Sequence, residues 1–182
     1  MNNENKEILE KKNDSKPLGQ EEGNYPLNRV VPPHNNVSRD VTEEDLDYLA
    51  KEAKVLYDIC LVGAHAMAYP QIEVDDPMNF YVTLNRKIVI NPKIIQHSNY
   101  TVKHKEGCVT FAGKQWVDVD RWQKCEIEYV TIMVDPDNRE KFKLSGVIKE
   151  SLSGMDSFIA QHEINHLRGV LIYPIETQNE KS

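Results

Sequence analysis

Gln161-His162-Glu163-Ile164-Asn165-His166-Leu167-Arg168-Gly169 contains H-E-x-x-H, and its reading frames the whole chain. On an α-helix, residues four apart are turned through about 400° and stand about 6 Å apart along the axis, so both imidazoles share a face. One divalent ion can take both. Glu163 lies about 100° round from His162, poorly placed as a third ligand but well placed to take a proton from a water on the ion. Met155, Phe158, Ile159, Ile164 and Leu167 supply apolar positions for the helix. Ser151 or Ser153 is its expected opening and Gly169 its expected stop. With six His in 182 residues, the motif arises by chance in roughly one such chain in fifty. A third ligand decides whether it is a metal site.

Composition narrows the search for one. At 182 residues, 40% hydrophobic and 28% charged, the chain suits one globular domain with a core of its own. Residues 1–25 are rich in Asn, Glu and Lys, with few large apolar side chains, and read as a disordered polar tail. Residues 26–182 read as a single domain. The net charge of −7 gives no electrostatic signal for nucleic acid. No run approaches the ~20 apolar residues of a membrane span, and no apolar signal region opens the chain, so the expected compartment is the cytoplasm. Three cysteines, Cys60, Cys108 and Cys125, are an odd count with no close pair, which argues against a disulfide framework.

Two of these cysteines belong to regular elements. Asp40 and Thr42 are candidate N-caps of a first helix, with Glu43, Glu44 and Asp45 as first-turn acids. Leu46, Leu49, Ala53, Leu56 and Cys60 follow at helical spacing, so Cys60 is expected in the core. Phe80 to Leu84 reads as a strand, then Ile88-Val89-Ile90, with Asn91-Pro92 as a break before Lys93-Ile94-Ile95. Trp116 to Val119 and Cys125 to Val134 read as further strands, the second with Cys125, Ile127 and Tyr129 on one face. Phe142 to Ile148 is the last before the helix. The order is helix, antiparallel strands, helix: an α+β domain without βαβ alternation. Between the first helix and the strands lies Gly63-Ala64-His65-Ala66-Met67-Ala68-Tyr69-Pro70-Gln71, whose small side chains suit a tight crossing of two elements or the approach of a ligand.

Cys108, in Glu106-Gly107-Cys108-Val109-Thr110, is the remaining candidate. A thiolate with two imidazoles leaves one position open, as a catalytic site requires. These blocks resemble, in order, the three signature motifs of the peptide deformylase family. G-x-G-[apolar]-A-A-x-Q corresponds to Ala64 through Gln71, E-G-C-[apolar]-S to Glu106 through Thr110, and H-E-x-D-H-[apolar]-x-G to His162 through Gly169. Asn91-Pro92-Lys93-Ile94, Val119-Asp120-Arg121 and Gln161 agree as well, and the likeness runs from about Val30 to Ile175.

The resemblance implies antiparallel sheets wrapped around a C-terminal metal-binding helix, with an N-terminal helix. It also implies removal of the N-formyl group from formyl-methionyl peptides, nascent chains at the ribosome among them, with release of formate. Cys108, His162 and His166 would hold one divalent ion, Fe²⁺ expected, with Zn²⁺, Ni²⁺ or Co²⁺ able to replace it. Glu163 would be the general base, while the Gln71 amide and the Val109 N–H would stabilise the oxyanion. Ala64, His65, Ala66, Met67, His104, Glu106, Gly107, Phe158 and Ile159 would meet the substrate.

This chain departs from the pattern at several of these positions. Ala64 and Ala66 replace glycines, which strains any backbone there that needs positive φ. Thr110 replaces serine. Asn165 replaces an aspartate that could have paired with an arginine such as Arg121. His65 and His104 stand where aliphatic residues commonly line the methionine pocket. The chain ends soon after Tyr173-Pro174-Ile175, leaving no room for the long C-terminal helix of some members. Two other readings stand beside this one: a metal- or peptide-binding protein without turnover, and a zincin-like peptidase. The peptidase requires a His or Glu ligand downstream of His166.

Overall fold

Alternate residues of Phe80-Tyr81-Val82 point opposite ways, and that alternation divides the molecule into two apolar layers. The computed structural model describes residues 27–111 and 116–173. The expected tail, residues 1–25, and the chain beyond Tyr173 lie outside them. In chain order the elements are α1 (Leu46–Leu61), β1 (Ala66–Ala68), β2 (Phe80–Thr83), β3 (Ile88–His97), β4 (Thr101–Glu106) and β5 (Val117–Trp122). Then come β6 (Lys124–Val130), β7 (Ile132–Val134), β8 (Phe142–Leu144), β9 (Ile148–Ser153) and α2 (Met155–Leu167). The main sheet is antiparallel, in the order β1-β2-β3-β6-β9, with β4-β5 and β7-β8 as separate two-stranded ribbons.

One face of the sheet buries α1. Leu46, Leu49, Ala53, Leu56 and Cys60 form the expected stripe and pack with Met67, Phe80, Val82 and Ile90. Leu49, Leu56 and Ile59 are fully buried, each stabilising the fold by roughly 1.5–3 kcal/mol. Thr42 caps a 3-10 turn (Glu43–Asp45) ahead of α1, and its N–H donates to Asp45 Oδ2 at 2.8 Å. The opposite face buries α2 against Tyr81, Val89, Cys125, Ile127 and Tyr129. Ala66 and Ala68 point that way too, beside Ile164 and Leu167. Their single methyls let the helix close on β1.

Several element boundaries differ from the sequence expectation, among them Phe142 to Ile148, which is not one strand: β8 ends at Leu144 and β9 begins at Ile148. Asn91-Pro92 does not break β3. Asn91 takes φ 52° in a bulge, where proline forfeits no ladder bond, and its side chain ties Val41 N–H (2.8 Å) and Val41 C=O (3.0 Å). The segment from Cys125 to Val134 is two strands, because Thr131 N–H leaves the ladder for Ser145 Oγ at 2.9 Å. Ile148–Ser153 is β9, so neither Ser151 nor Ser153 opens α2; Gly154, at φ 57°, makes the turn from strand to helix. β5 runs on to Trp122. β4 carries Lys103, His104 and Lys105 with few apolar residues, so no alternation of apolar and polar side chains announces it.

The end of α2 follows expectation. Gly169 sits at φ 69°, its N–H bonds His166 C=O (3.0 Å), and Val170 N–H bonds Asn165 C=O (2.8 Å). That is the Schellman closure.

Candidate metal centre

α2 buries the polar side chains of Ser157, Gln161, Glu163 and His166, and the bonds of the first two explain where the site lies. Gln161 bridges the helix to β5: its Oε1 accepts Trp122 N–H and its Nε2 donates to Trp122 C=O, both at 2.9 Å. Ser157 Oγ donates to the same carbonyl. These bonds fix the helix rotation that carries His162 and His166 toward Cys108. Cys108 itself sits between the end of β4 and a 3-10 turn (Val109–Phe111) closed by Phe111 N–H to Cys108 C=O at 3.0 Å.

The three donor atoms converge. Cys108 Sγ is 3.3 Å from His166 Nε2, the two imidazole Nε2 atoms are 3.2 Å apart, and all three atoms lie within 4.8 Å of one another. A tetrahedral ion bound at about 2.1 Å to nitrogen and 2.3 Å to sulfur separates its ligands by about 3.4–3.6 Å. The group fits such an ion after small adjustments. No other cluster of this kind occurs among the described residues.

Glu106 orients one of the imidazoles. Its Oε2 accepts from His162 Nδ1 at 2.8 Å, which leaves the His162 Nε2 lone pair facing the cluster. Both carboxylate oxygens also accept from Arg121, Nε to Oε1 and Nη2 to Oε2, at 2.7 Å each. Arg121 is therefore committed to Glu106 rather than to position 165. Burial pushes the Glu106 carboxyl up, but Arg121 and His162 outweigh it and hold it at about 2. Within the cluster, burial lowers both imidazoles. The Cys108 and Glu106 partners reverse the direction for His162, whereas the neighbouring His162 lowers His166 further.

Glu163 is the unusual group. It is 4% exposed, and its Oε2 has no hydrogen-bond partner among the described residues. Burial raises its carboxyl to about 7, against the lowering pull of His162 and the Ala68 N–H. An unpaired carboxylate oxygen buried beside three groups that could hold a metal ion is costly unless something there uses it. Gln71 lies on the other side: its Oε1 accepts Ala68 N–H (2.8 Å), and its Nε2 donates to Thr110 Oγ1 (2.9 Å) and reaches Cys108 Sγ at 3.5 Å.

These groups face a cleft of about 430 Å³. Ala64, His65, Ala66, Met67, His104, Glu106, Gly107, Phe158 and Ile159 all line it, as do Gln71, Cys108, Val109, His162 and Glu163. Ala64 and Ala66 do not adopt positive φ, so the methyls that replace the glycines cause no backbone strain. His104 stacks on Phe158 with ring centroids 4.6 Å apart. Sequence reasoning missed Trp116 and Met155 as cleft residues. Trp116 is 69% exposed and lies about 3.5 Å from where a Cβ on Gly107 would stand; Met155, expected to pack, is 51% exposed at the wall. Arg121 was legible only as a motif residue, since nothing in its spacing reveals the pairing with Glu106.

Comparison with known proteins gives a consistent answer. The peptide deformylase of Aquifex aeolicus is 30% identical over 83 residues, covering 46% of this chain and 41% of that protein. The Thermotoga neapolitana peptide deformylase is 33% identical over 84 residues, covering 46% and 44%. The chain thus matches under half the length of these curated relatives. The crystal structure of peptide deformylase from Thermotoga maritima superposes with a TM-score of 0.63 at 24% identity, covering 79% of this chain and 94% of that one, a likeness of fold. The family model described as polypeptide deformylase matches residues 27–181, and on that extent the chain belongs to the peptide deformylase family.

Proposed function

We propose that the protein hydrolyses the N-formyl group of formyl-methionyl peptides and releases formate. The observation that carries the reading is the unpaired, buried Glu163 Oε2 beside Cys108, His162 and His166. Those three residues would hold one divalent ion, with Fe²⁺ expected and Zn²⁺, Ni²⁺ or Co²⁺ able to substitute. When bound, the ion supplies a Lewis acid and a water of lowered pKa.

The chain's own groups account for the remaining steps. Glu163, held near neutrality by burial, accepts a proton from the attacking water and later returns it to the leaving amine. The Gln71 Nε2 and the Val109 N–H donate to the formyl oxygen as it gains charge. Glu106 keeps His162 in the tautomer that presents Nε2. Met155, Phe158 and Ile159 provide an apolar wall for the methionine side chain, with His104 and His65 at its edges. Substrate enters as an extended chain beside Ala64–Met67. Nascent chains in the cytoplasm are its natural source.

The reading is tested by loading the protein anaerobically with Fe²⁺ or Ni²⁺ and measuring formate release from a formyl-Met peptide. Turnover is expected, with a loss of about 10²–10⁴-fold on Glu163→Ala. Absence of turnover with metal fully bound would instead favour a binding protein.

A further inference from the structure

We propose that His34, on the extended segment ahead of α1, is a positioning residue that holds Gln71 at the oxyanion position from outside the cleft. The inference rests on the deformylase reading above. Gln71 belongs to a single 3-10 turn (Tyr69–Gln71), whose closing bond runs from Ile72 N–H to Tyr69 C=O at 2.9 Å. One such turn does not support itself.

External bonds hold it instead, on both sides of the Gln71 α-carbon. The carbonyl of the peptide before it, Pro70 C=O, accepts from His34 Nε2 at 2.7 Å. The carbonyl of the peptide after it, Gln71 C=O, accepts from Val31 N–H at 2.9 Å. The Ala68 N–H pins the side-chain Oε1 at 2.8 Å. With both flanking peptide planes and the amide oxygen fixed, Nε2 has one direction left, toward Thr110 and Cys108.

The His34 ring is set for this task. Pro70 C=O can only accept and Asn36 N–H, 3.2 Å from Nδ1, can only donate. The two partners therefore require the tautomer with hydrogen on Nε2. Asn36 Nδ2 ties the segment again, to Val74 C=O at 2.7 Å. The same segment then reaches the helix that carries His166. Ser38 N–H donates to Leu167 C=O at 2.9 Å, and the Asn35 carbonyl fills the space where a Gly169 side chain would stand. A single segment so sets the separation between the amide donor and the metal-ligand helix.

The test compares His34→Ala, His34→Gln and His34→Asn in the full chain. A glutamine amide reaches about as far as the imidazole Nε2; an asparagine amide is one bond short. With metal bound and a formyl-Met peptide as substrate, His34→Ala and His34→Asn should lower kcat about 10-fold and leave KM within about 2-fold, as expected when a transition-state donor is displaced. His34→Gln should restore kcat to within about 2-fold. In metal-free, ¹⁵N-labelled protein, the Gln71 side-chain NH₂ resonances, assigned by their loss in Gln71→Ala, should shift or broaden in the Ala and Asn variants and return in Gln. Unmoved resonances, or an Ala variant with wild-type kcat, overturn the proposal. If wild-type protein releases no formate, the deformylase reading fails, while the amide resonances still decide the role of His34. Should His34→Ala not fold, the Gln and Asn variants carry the comparison.

Discussion

Replacing Glu106 with glutamine removes one negative charge from a buried site at almost constant volume. Two consequences follow that can be measured apart. Glu106 and Arg121 are 6% and 4% exposed, and their paired oxygens and nitrogens stand 2.7 Å apart. Breaking a buried pair by neutralising one partner costs about 3–5 kcal/mol, because the other charge stays buried and uncompensated. Glutamine keeps one acceptor for Arg121, which places the expected loss near the lower figure, about 3 kcal/mol. For a chain of this size that is a fall in Tm of roughly 6–12 °C. Separately, a glutamine amide can present its NH₂ to His162 Nδ1 and favour the wrong tautomer. Loss of such an outer partner typically weakens metal binding 10–100-fold. Urea unfolding of the metal-free protein reads the first effect and chelator competition the second. Replacing the pair together, Glu106→Leu with Arg121→Met, should recover much of the stability, since apolar substitutes for a buried pair are often neutral, but none of the metal affinity. Full metal affinity in Glu106→Gln, or weakened affinity that returns in the double variant, would refute the orienting role.

The remaining predictions concern the frame around the site. Gly169→Ala places a Cβ 2.2 Å from the Asn35 carbonyl oxygen at φ 69°; a loss of about 2–3 kcal/mol is expected from the left-handed strain and the clash together, against under about 1 kcal/mol for Gly146→Ala, where nothing lies within 4 Å. Equal urea midpoints for the two would contradict this. Of the three thiols, burial pushes Cys60 up to about 12 and raises Cys125 as well, so a thiol reagent should modify Cys108 alone in native metal-free protein and none once a divalent ion is bound; fast reaction of a second thiol would count against the packing. The Arg39 guanidinium, after the cost of burial, holds Asp45 at about 2 rather than 3.8. The folded pKa is depressed, so the pair adds stability above about pH 4 that is lost as pH falls toward 2. Arg39 is partly exposed, which limits the effect to under about 1 kcal/mol, and Arg39→Ala should flatten the acid limb of the stability curve between those values.

What the sequence revealed, and what it hid, follows from the range of each interaction. The α1 stripe, the alternation of Cys125, Ile127 and Tyr129, and the Gly169 stop are local patterns, and each appears in the fold. His162, Glu163 and His166 were legible because one helical turn brings them together. Cys108 lies far along the chain, and spacing alone could not attach it; the resemblance of its block did so. β4 stayed hidden because it is a ribbon of lysine and histidine, and β9 because Ser151 and Ser153 serve equally as strand or cap. The bonds from His34 to the Pro70 carbonyl and from Val31 to the Gln71 carbonyl, and the pairing of Arg121 with Glu106, are long-range and involve backbone or lone charged groups. Residue periodicity carries no trace of them.

The central claim is that one ion binds between Cys108, His162 and His166, and X-ray absorption at the zinc edge tests it most directly. Protein loaded with one Zn²⁺ per chain should show a single sulfur neighbour at about 2.3 Å and two imidazole nitrogens near 2.0–2.1 Å, with the sulfur shell gone in Cys108→Ala. One bound ion with no sulfur neighbour, or a sulfur shell that survives Cys108→Ala, would contradict the account.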